Sequence, residues 1–273
     1  MFKMILIMFS LLLVGCALVP GAEVQTIQDV APAPSSATAE IHFIDVGQGD
    51  SILIKTNKIV LIDCGKSGEK VTNYLKNRVS SIDTLVITHG DFDHLGGCDS
   101  VLKQFEVGEV IVDGQERETE SYKDVFENIK PSTPVIRFPN VGYQITPELV
   151  VVHSNTNSDE PNMNSIVTKL SFGNTEVLFT ADCDRDCEQN IITKNIDVDI
   201  VQIPHHGSKY GTSYEFITAT SPELAVVSVG SGNNYGHPSP EVLERIGSIN
   251  LKRTDVDGSV VIILNETDWR FYE

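Results

Sequence analysis

The stretch His89-Gly90-Asp91-Phe92-Asp93-His94 places two imidazoles and two carboxylates within six positions. A mixed nitrogen and oxygen set of this kind suits Zn²⁺, Mn²⁺ or Fe better than Ca²⁺, which prefers oxygen alone. A polar turn in which Asp93 or His94 merely caps the next helix would account for one of these residues, not four. Further polar groups stand where apolar runs stop: Asp63, Asp182, His206 and His237. Metal ions held among such side chains make hydroxide available near neutral pH and neutralise charge developing on a phosphoryl or carbonyl oxygen. The chemistry the residues point to is metal-assisted hydrolysis.

The elements that must position these groups are legible from periodicity. Strands are expected over 41–46, 51–55, 58–63, 84–88 and 109–112, with helices over 67–79, 98–105 and 121–129. A strand-rich middle follows, 133–138, 144–145 and 149–153, then a polar loop, 154–164. Strands over 165–172 and 175–180 deliver Asp182, and one over 198–203 delivers Pro204-His205-His206-Gly207-Ser208. Helices over 187–194, 214–220 and 240–247 alternate with a strand over 224–229, and 252–254 and 260–264 complete the sheet. Ser239 and Pro240 are an expected N-cap and first helical residue. Two halves that each begin with strands and turn to strand–helix alternation predict an α/β sandwich, with the site along one edge of two sheets.

The 273-residue chain carries 38 acidic and 20 basic residues, a net charge of −18. Tight binding of nucleic acid without sequence preference usually needs a basic surface, so this balance argues against such a role unless a basic cleft or metal ions override it. Near the N-terminus, Lys3 precedes the apolar run Met4 to Val14, short for a membrane span and suited to the core of a signal peptide. Leu13-Val14-Gly15-Cys16 resembles the lipobox of bacterial lipoproteins, in which the cysteine receives the lipid. Residues 1–16 are thus read as a lipoprotein-type signal peptide with Cys16 lipidated, 17–39 as an Ala/Pro/Ser tether and 40–273 as the folded domain. A plain secretory signal with an incidental Cys16, or an uncleaved anchor, is the alternative. Either route implies export, the lipid placing the chain at the cell surface on the outer face of a membrane. The four remaining cysteines permit two disulfides. Cys183–Cys187 is the favoured pair, and Cys64 with Cys98 is left open.

His89 to His94 resembles the HxHxDH signature of the metallo-β-lactamase fold superfamily, with Asp91 in place of the second histidine. Together with Asp45-Val46-Gly47-Gln48-Gly49-Asp50, Pro204 to Ser208 and Tyr235-Gly236-His237-Pro238, it is similar to the extracellular domain of ComEC-type competence proteins. Those proteins belong to DNA-uptake channels, and the domain is thought to degrade the strand that is not transported. The likeness runs over 41–264 without the channel's membrane helices, so a freestanding, exported version is expected.

The resemblance implies a four-layer αββα sandwich and two divalent ions, Zn or Mn. His89 and Asp91 would serve the first ion, Asp93 and His94 the second, with Asp182 bridging and His206 on the second. Asn164 stands where a further histidine usually serves the first ion, which leaves that site less tightly held or completed by water, and single-ion occupancy open. Asp63 matches a supporting aspartate. Asp93 would orient or deprotonate the attacking water, and His205 or His237 would donate a proton or a hydrogen bond. Asn164, Ser208 and Asn233 are expected at the substrate. Which of His205 and His206 ligates stays open, with His206 preferred, and His42 and His153 are expected to be structural.

The function expected is that of an exported, membrane-tethered, metal-dependent hydrolase, a phosphodiesterase or nuclease acting on DNA. Hydrolysis of another phosphoester, such as a phosphocholine-type group on surface polymers, is a second reading. A surface binding protein with a vestigial site is a third.

Overall fold

The strand segments are apolar on successive residues rather than alternating, which demands cover on both faces of the sheets they form. The computed structural model describes residues 38–154 and 158–272. The expected signal peptide, Cys16 and all of the tether but its last two residues lie outside the described residues.

Among the described residues fourteen strands form two sheets. In chain order they are β1 (Ala39–Phe43), β2 (Ile52–Lys55), β3 (Ile59–Ile62), β4 (Ser81–Ile87), β5 (Glu106–Val112), β6 (Val135–Arg137) and β7 (Leu149–His153). Then follow β8 (Val167–Phe172), β9 (Thr175–Phe179), β10 (Ile200–Gln202), β11 (Leu224–Val227), β12 (Asn250–Arg253), β13 (Val260–Leu264) and β14 (Trp269–Phe271). One sheet runs β14-β13-β1-β2-β3-β4-β5-β6 and the other β12-β11-β10-β9-β8-β7. In each, antiparallel strands pass into a parallel set: β3 to β6 in the first and β9 to β12 in the second.

Three apolar layers hold the sheets and helices together. Between the sheets, Ile52, Ile54, Val60, Ile62, Val86 and Ile111 meet Val177, Phe179, Ile200, Leu224 and Val226. The other face of the first sheet, Leu53, Leu61, Leu85 and Val110, packs with Val71, Leu75, Val101 and Val125. These come from α1 (Gly68–Leu75), α3 (Cys98–Gln104) and α4 (Glu120–Asn128), with the single turn α2 (Phe92–Leu95) between the first two. The second sheet turns Leu178, Val201, Ala225 and Val227 towards Cys187, Ile191, Phe216, Val242 and Ile246. Those lie on α5 (Arg185–Ile191), α6 (Tyr214–Thr220) and α7 (Pro240–Ile246), while α8 (Thr254–Asp257) follows β12. Each such side chain contributes about 1.5–3 kcal/mol on full burial. The order of layers is helix, sheet, sheet, helix, the αββα sandwich.

Several boundaries differ from the periodicity. Ile44 to Val46 leave the first strand, because Ile44 N–H turns to the Ser51 carbonyl and Asp45 N–H to Ser259 Oγ. The expected strand over 144–145 reduces to one bridge, Gln144 with Val150. The helix expected over 187–194 starts earlier, since the Asp184 carboxylate accepts from the N–H groups of Asp186 and Cys187 and caps it. Periodicity does not mark β14, which pairs antiparallel with β13. Both disulfides are formed, Cys183–Cys187 and Cys64–Cys98, the latter tying the loop after β3 to the start of α3.

Candidate metal centre

Parallel strands carry their loops to one edge, and ligand sites in open α/β sheets gather beyond their carboxyl ends. Here β3 leads into Asp63, β4 into Thr88-His89, β9 into the loop with Ala181-Asp182 and β10 into the loop with His205-His206. Four of these turning points, Asp63, Ala181, His205 and His206, have φ of 48° to 56°, the left-handed region that side chains other than glycine rarely adopt. The turn α2 lifts Asp93 and His94 inward, and His94 N–H and Leu95 N–H both bond the Asp91 carbonyl.

Asp63 is fully buried and organises the first loop. Its carboxylate accepts from Thr88 N–H at 2.8 Å, from Thr88 Oγ1 at 2.6 Å and from His94 Nδ1 at 2.8 Å. With Nδ1 donating there, the Nε2 of His94 points inward. His206 is arranged the same way, its Nδ1 donating to the Ser228 carbonyl at 2.8 Å. The inner nitrogens then converge on Asp182. His94 Nε2 lies 3.1 Å and His206 Nε2 3.6 Å from Oδ1, while His89 Nε2 lies 3.9 Å and His205 Nε2 3.6 Å from Oδ2. Asp93 Oδ2 is 3.5 Å from His206 Nε2, and Asp91 Oδ2 is 3.9 Å from His89 Nε2.

Despite these approaches, the Nε2 atoms of His89, His94 and His206 and the Oδ1 of Asp182 are buried without a hydrogen-bond partner among the described residues. Buried polar atoms almost always have one, and leaving an atom unsatisfied costs about 1–3 kcal/mol. Donor atoms of His89, His94 and Asp182, and of Asp93, His94 and His206, lie within 4.8 Å of one another. Orphaned imidazole nitrogens and carboxylate oxygens facing a common point fit a divalent metal ion, since both are ligand types for Zn²⁺ and its neighbours.

The electrostatics agree with that fit. Burial lowers His89, reinforced by the charge on His94, to a pKa of about 4, so this imidazole is neutral. Burial also pulls His94 down, but the Asp182 and Asp63 carboxylates outweigh it and hold His94 well above its ordinary value. In His206 burial is likewise overcome, here by Asp182 and Asp50. Burial opposes ionisation of Asp182, yet the imidazoles of His94 and His206 drive its pKa well down. The centre is a cluster of imidazoles set against carboxylates, a charge pattern that suits cations.

The other expected residues divide. Asp91, Asp93, Asp182, His205, His206 and His237 line one cavity of about 140 Å³, together with Gln48 and Tyr235. Asn162 Nδ2 donates to His205 Nδ1 at 3.2 Å, leaving Nε2 to carry the proton and face Asp182. Burial and the neighbouring His205 and His206 lower His237 to a pKa of about 4. His237 is therefore neutral near pH 7, a hydrogen-bond donor rather than an acid. Asn233, expected at the substrate, has its amide engaged inside its own loop: Nδ2 donates to the Gly230 and His237 carbonyls, and Oδ1 accepts from Tyr235 and His237 N–H. It shapes the loop that presents His237. Ser208 is buried with its Oγ accepting from Tyr210 N–H. Asn164 is fully buried, Nδ2 bonded to the Ser158 and Glu160 carbonyls and Oδ1 without a partner among the described residues. His42 bonds Tyr74 and Glu40, and His153 the Met163 carbonyl.

Asp50, in the Asp45 to Asp50 motif, is not among the expected site residues. It is buried 3.3 Å from His206 Nδ1 and accepts from Gln202 Nε2 at 2.6 Å. Gln202 in turn accepts from Thr180 and Ala181 N–H, bracing the strand end that carries Asp182. The Gly47-Gln48-Gly49-Asp50 turn was the available signal, because Gly47 and Gly49 have φ of 83° and 135°. A Cβ on Gly49 would stand 2.2 Å from the Asp93 carbonyl oxygen, so the turn must touch the ligand loop.

Residues 44–231 match the family model of the metallo-beta-lactamase superfamily. The chain belongs to this superfamily. Its members are metal-dependent hydrolases, and ComE operon protein 3 of Bacillus subtilis is 28% identical over 262 residues, covering 82% of this chain and 33% of that protein. Competence protein ComA of Neisseria gonorrhoeae is 32% identical over 232 residues, covering 81% of this chain and 32% of that protein. The chain thus spans about a third of the length of these competence relatives. Among solved structures, the metallo-beta-lactamase fold protein YhfI from Bacillus subtilis superposes with a TM-score of 0.56 at 12% identity, over 86% of this chain and all of that one. Tm1679, a metal-dependent hydrolase of the superfamily, gives 0.55 at 15%, over 85% and 100%. At these identities the structures share the fold. No helix among the described residues is long and apolar enough to cross a membrane.

Proposed function

We propose that this chain is an exported, lipid-anchored phosphodiesterase that uses two divalent ions, Zn or Mn, to cleave DNA. The observation that carries the metal part is the set of orphaned, buried nitrogens of His89, His94 and His206 facing Asp182. The phosphodiester part is supported by the competence relatives and by a cavity whose roughly 140 Å³ suits a phosphoryl group.

His89, Asp91 and the Oδ2 of Asp182 would hold one ion, and Asp93, His94, His206 and Oδ1 of Asp182 the other. Bound there, the ions supply an activated water and neutralise charge on the phosphoryl oxygens. Asp93, partly exposed beside His206, orients the attacking water. His205 presents the Nε2 proton fixed by Asn162 to the leaving oxygen, and neutral His237 donates a hydrogen bond to a phosphoryl oxygen. Asp63, Asp50 and Gln202 keep these groups aimed. The charge of −18 bears less heavily than the total suggests, because Asp50, Asp63, Asp91, Asp93 and Asp182 all surround the centre that cations would neutralise. It still favours a second reading in which the diester is smaller than a polynucleotide.

The purified chain, loaded in turn with Zn²⁺, Mn²⁺ and Mg²⁺, is assayed on bis-p-nitrophenyl phosphate and on single-stranded DNA. Cleavage of both with one metal, abolished in a folded His94→Ala variant, is the expected result. Cleavage of the small diester alone moves the substrate away from nucleic acid. Undiminished hydrolysis by His94→Ala would sink the metal assignment.

A further inference from the structure

The cavity at the metal centre has a rim that its ligands do not explain. Tyr235 lies at the mouth, and 62% of it remains exposed. It is held rather than adrift: its N–H bonds Asn233 Oδ1, and its ring lies parallel-offset to His237, 5.6 Å between centroids and 26° between planes. From the opposite wall, in the loop between β3 and α1, comes Lys66. Its ammonium is 5.4 Å from the centre of the Tyr235 ring and 4.0 Å from Asp93 Oδ2. Lys66 follows Cys64, which is tied to Cys98, and Gly65, whose N–H bonds the Asp50 carbonyl, so its backbone is anchored. An exposed aromatic ring and a cation therefore face each other over one corner of an otherwise acidic pocket.

The position of this corner decides what it can be for. The cavity is small and opens to solvent past Tyr235. A diester whose phosphate reaches the metal centre carries its attached groups over that rim, past the ring and the ammonium. The ring offers a flat, pre-oriented, apolar surface whose exposure costs solvation and whose fixing has been arranged by Asn233. The ammonium offers a charge for the next phosphate, in a protein whose net charge otherwise repels a polyanion. A π-face beside a cation along a phosphodiester path is the combination that holds single-stranded nucleic acid without reading its sequence.

We infer that Tyr235 and Lys66 form a subsite that stacks one unpaired nucleobase next to the scissile phosphate and binds the adjoining backbone phosphate. Tyr235 supplies the stacking plane, and Lys66, 5.4 Å from the ring centre and 4.0 Å from Asp93 Oδ2, turns to the phosphate as the base arrives. The inference rests on the phosphodiesterase reading and adds a preference to it: single strands with bases, over duplexes, in which the bases are paired and stacked away.

The test uses the full chain loaded with Zn²⁺. Fluorescence anisotropy follows two labelled phosphorothioate oligomers of ten units, one of thymidylate and one abasic, on wild type, Tyr235→Ala, Tyr235→Phe and Lys66→Ala. Hydrolysis of bis-p-nitrophenyl phosphate is measured in parallel. Stacking on an aromatic side chain predicts that Tyr235→Ala weakens the thymidylate oligomer roughly 5- to 100-fold. The abasic oligomer should be unaffected by that change, and Tyr235→Phe, which keeps the ring, should stay within about twofold of wild type on both. Lys66→Ala should weaken both oligomers. If Tyr235→Ala binds thymidylate as wild type does, or loses the abasic oligomer equally, the ring does not stack a base and the subsite falls. The same holds if wild type binds neither oligomer. If the binding pattern is found while wild type hydrolyses no diester with any metal, the subsite stands and the phosphodiesterase reading falls.

Discussion

Replacing Asp63 by asparagine keeps the size and shape of a side chain that sits at the base of the centre, and changes which atom the neighbouring imidazole must present. Asp63 accepts three hydrogen bonds, from Thr88 N–H, Thr88 Oγ1 and His94 Nδ1, at 2.8, 2.6 and 2.8 Å. In Asp63→Asn the amide oxygen can serve Thr88 N–H, which turns the NH₂ towards Thr88 Oγ1 and His94 Nδ1. The threonine hydroxyl can accept from the amide, but its proton then faces His89 Nδ1, 3.1 Å away, which must accept and so carry its own proton on Nε2. Nor can the His94 imidazole adapt without cost. It must offer a lone pair at Nδ1, which moves its proton to Nε2, the nitrogen aimed at Asp182. Restoring the ligating tautomer forfeits one hydrogen bond to a charged acceptor, about 1.5–3 kcal/mol. That corresponds to a loss of roughly 10- to 100-fold in metal affinity, the range that outer supports of metal ligands usually command. Alanine would be a worse probe, since three buried donors left without partners cost about 3–9 kcal/mol together, comparable to the whole stability of a domain. Calorimetric titration with Zn²⁺ reads the affinity, and thermal unfolding in chelator confirms that the variant folds. A folded Asp63→Asn protein that binds Zn²⁺ within twofold of wild type would refute the argument that Asp63 sets the tautomer of His94.

Removing the two disulfides should have unequal effects. Cys64–Cys98 closes a separation of 34 residues and Cys183–Cys187 one of 4. On the chain-entropy account the first is worth about 4 kcal/mol and the second about 2. Denaturant unfolding of Cys64→Ala/Cys98→Ala against Cys183→Ala/Cys187→Ala checks the order, and a larger loss from the shorter loop would contradict it. Asp113 offers a pH test outside the ligand set. Burial raises its pKa to about 7, with Arg117 opposing. A folded pKa above the unfolded value of about 3.9 means that its stabilising contribution is complete below about pH 4 and is lost as pH rises through about 7. The stability of wild type relative to Asp113→Asn should therefore be greater at pH 5 than at pH 8, and urea unfolding that shows no such difference would count against a buried, protonated Asp113.

What could be read from the chain alone was what is local in it. His89, Asp91, Asp93 and His94 lie within six residues, so one strand end and one helical turn bring them together whatever the rest of the fold does. The strands announced themselves because both faces of each sheet are covered, which makes Ile52 to Ile54 and Val60 to Ile62 continuously apolar. Asp182 and His206 could be singled out as polar groups ending such runs, and the family resemblance gave them roles. Whether they meet the first motif is a property of the two sheets' stacking, which brings the ends of β9 and β10 against α2. The same holds for groups whose meaning lies in a distant partner. Asp50 is one loop acid among many until Gln202, 152 residues later, is placed beside it. Asn233 looks like a substrate contact until its four hydrogen bonds close within its own loop. Lys66 and Tyr235 are ordinary surface residues in sequence and become neighbours because their loops leave different sheets at the same edge. Residue type and periodicity report the energetics of short segments, whereas the orphaned nitrogens and the rim exist only once tertiary packing has excluded water from one point and left it at another.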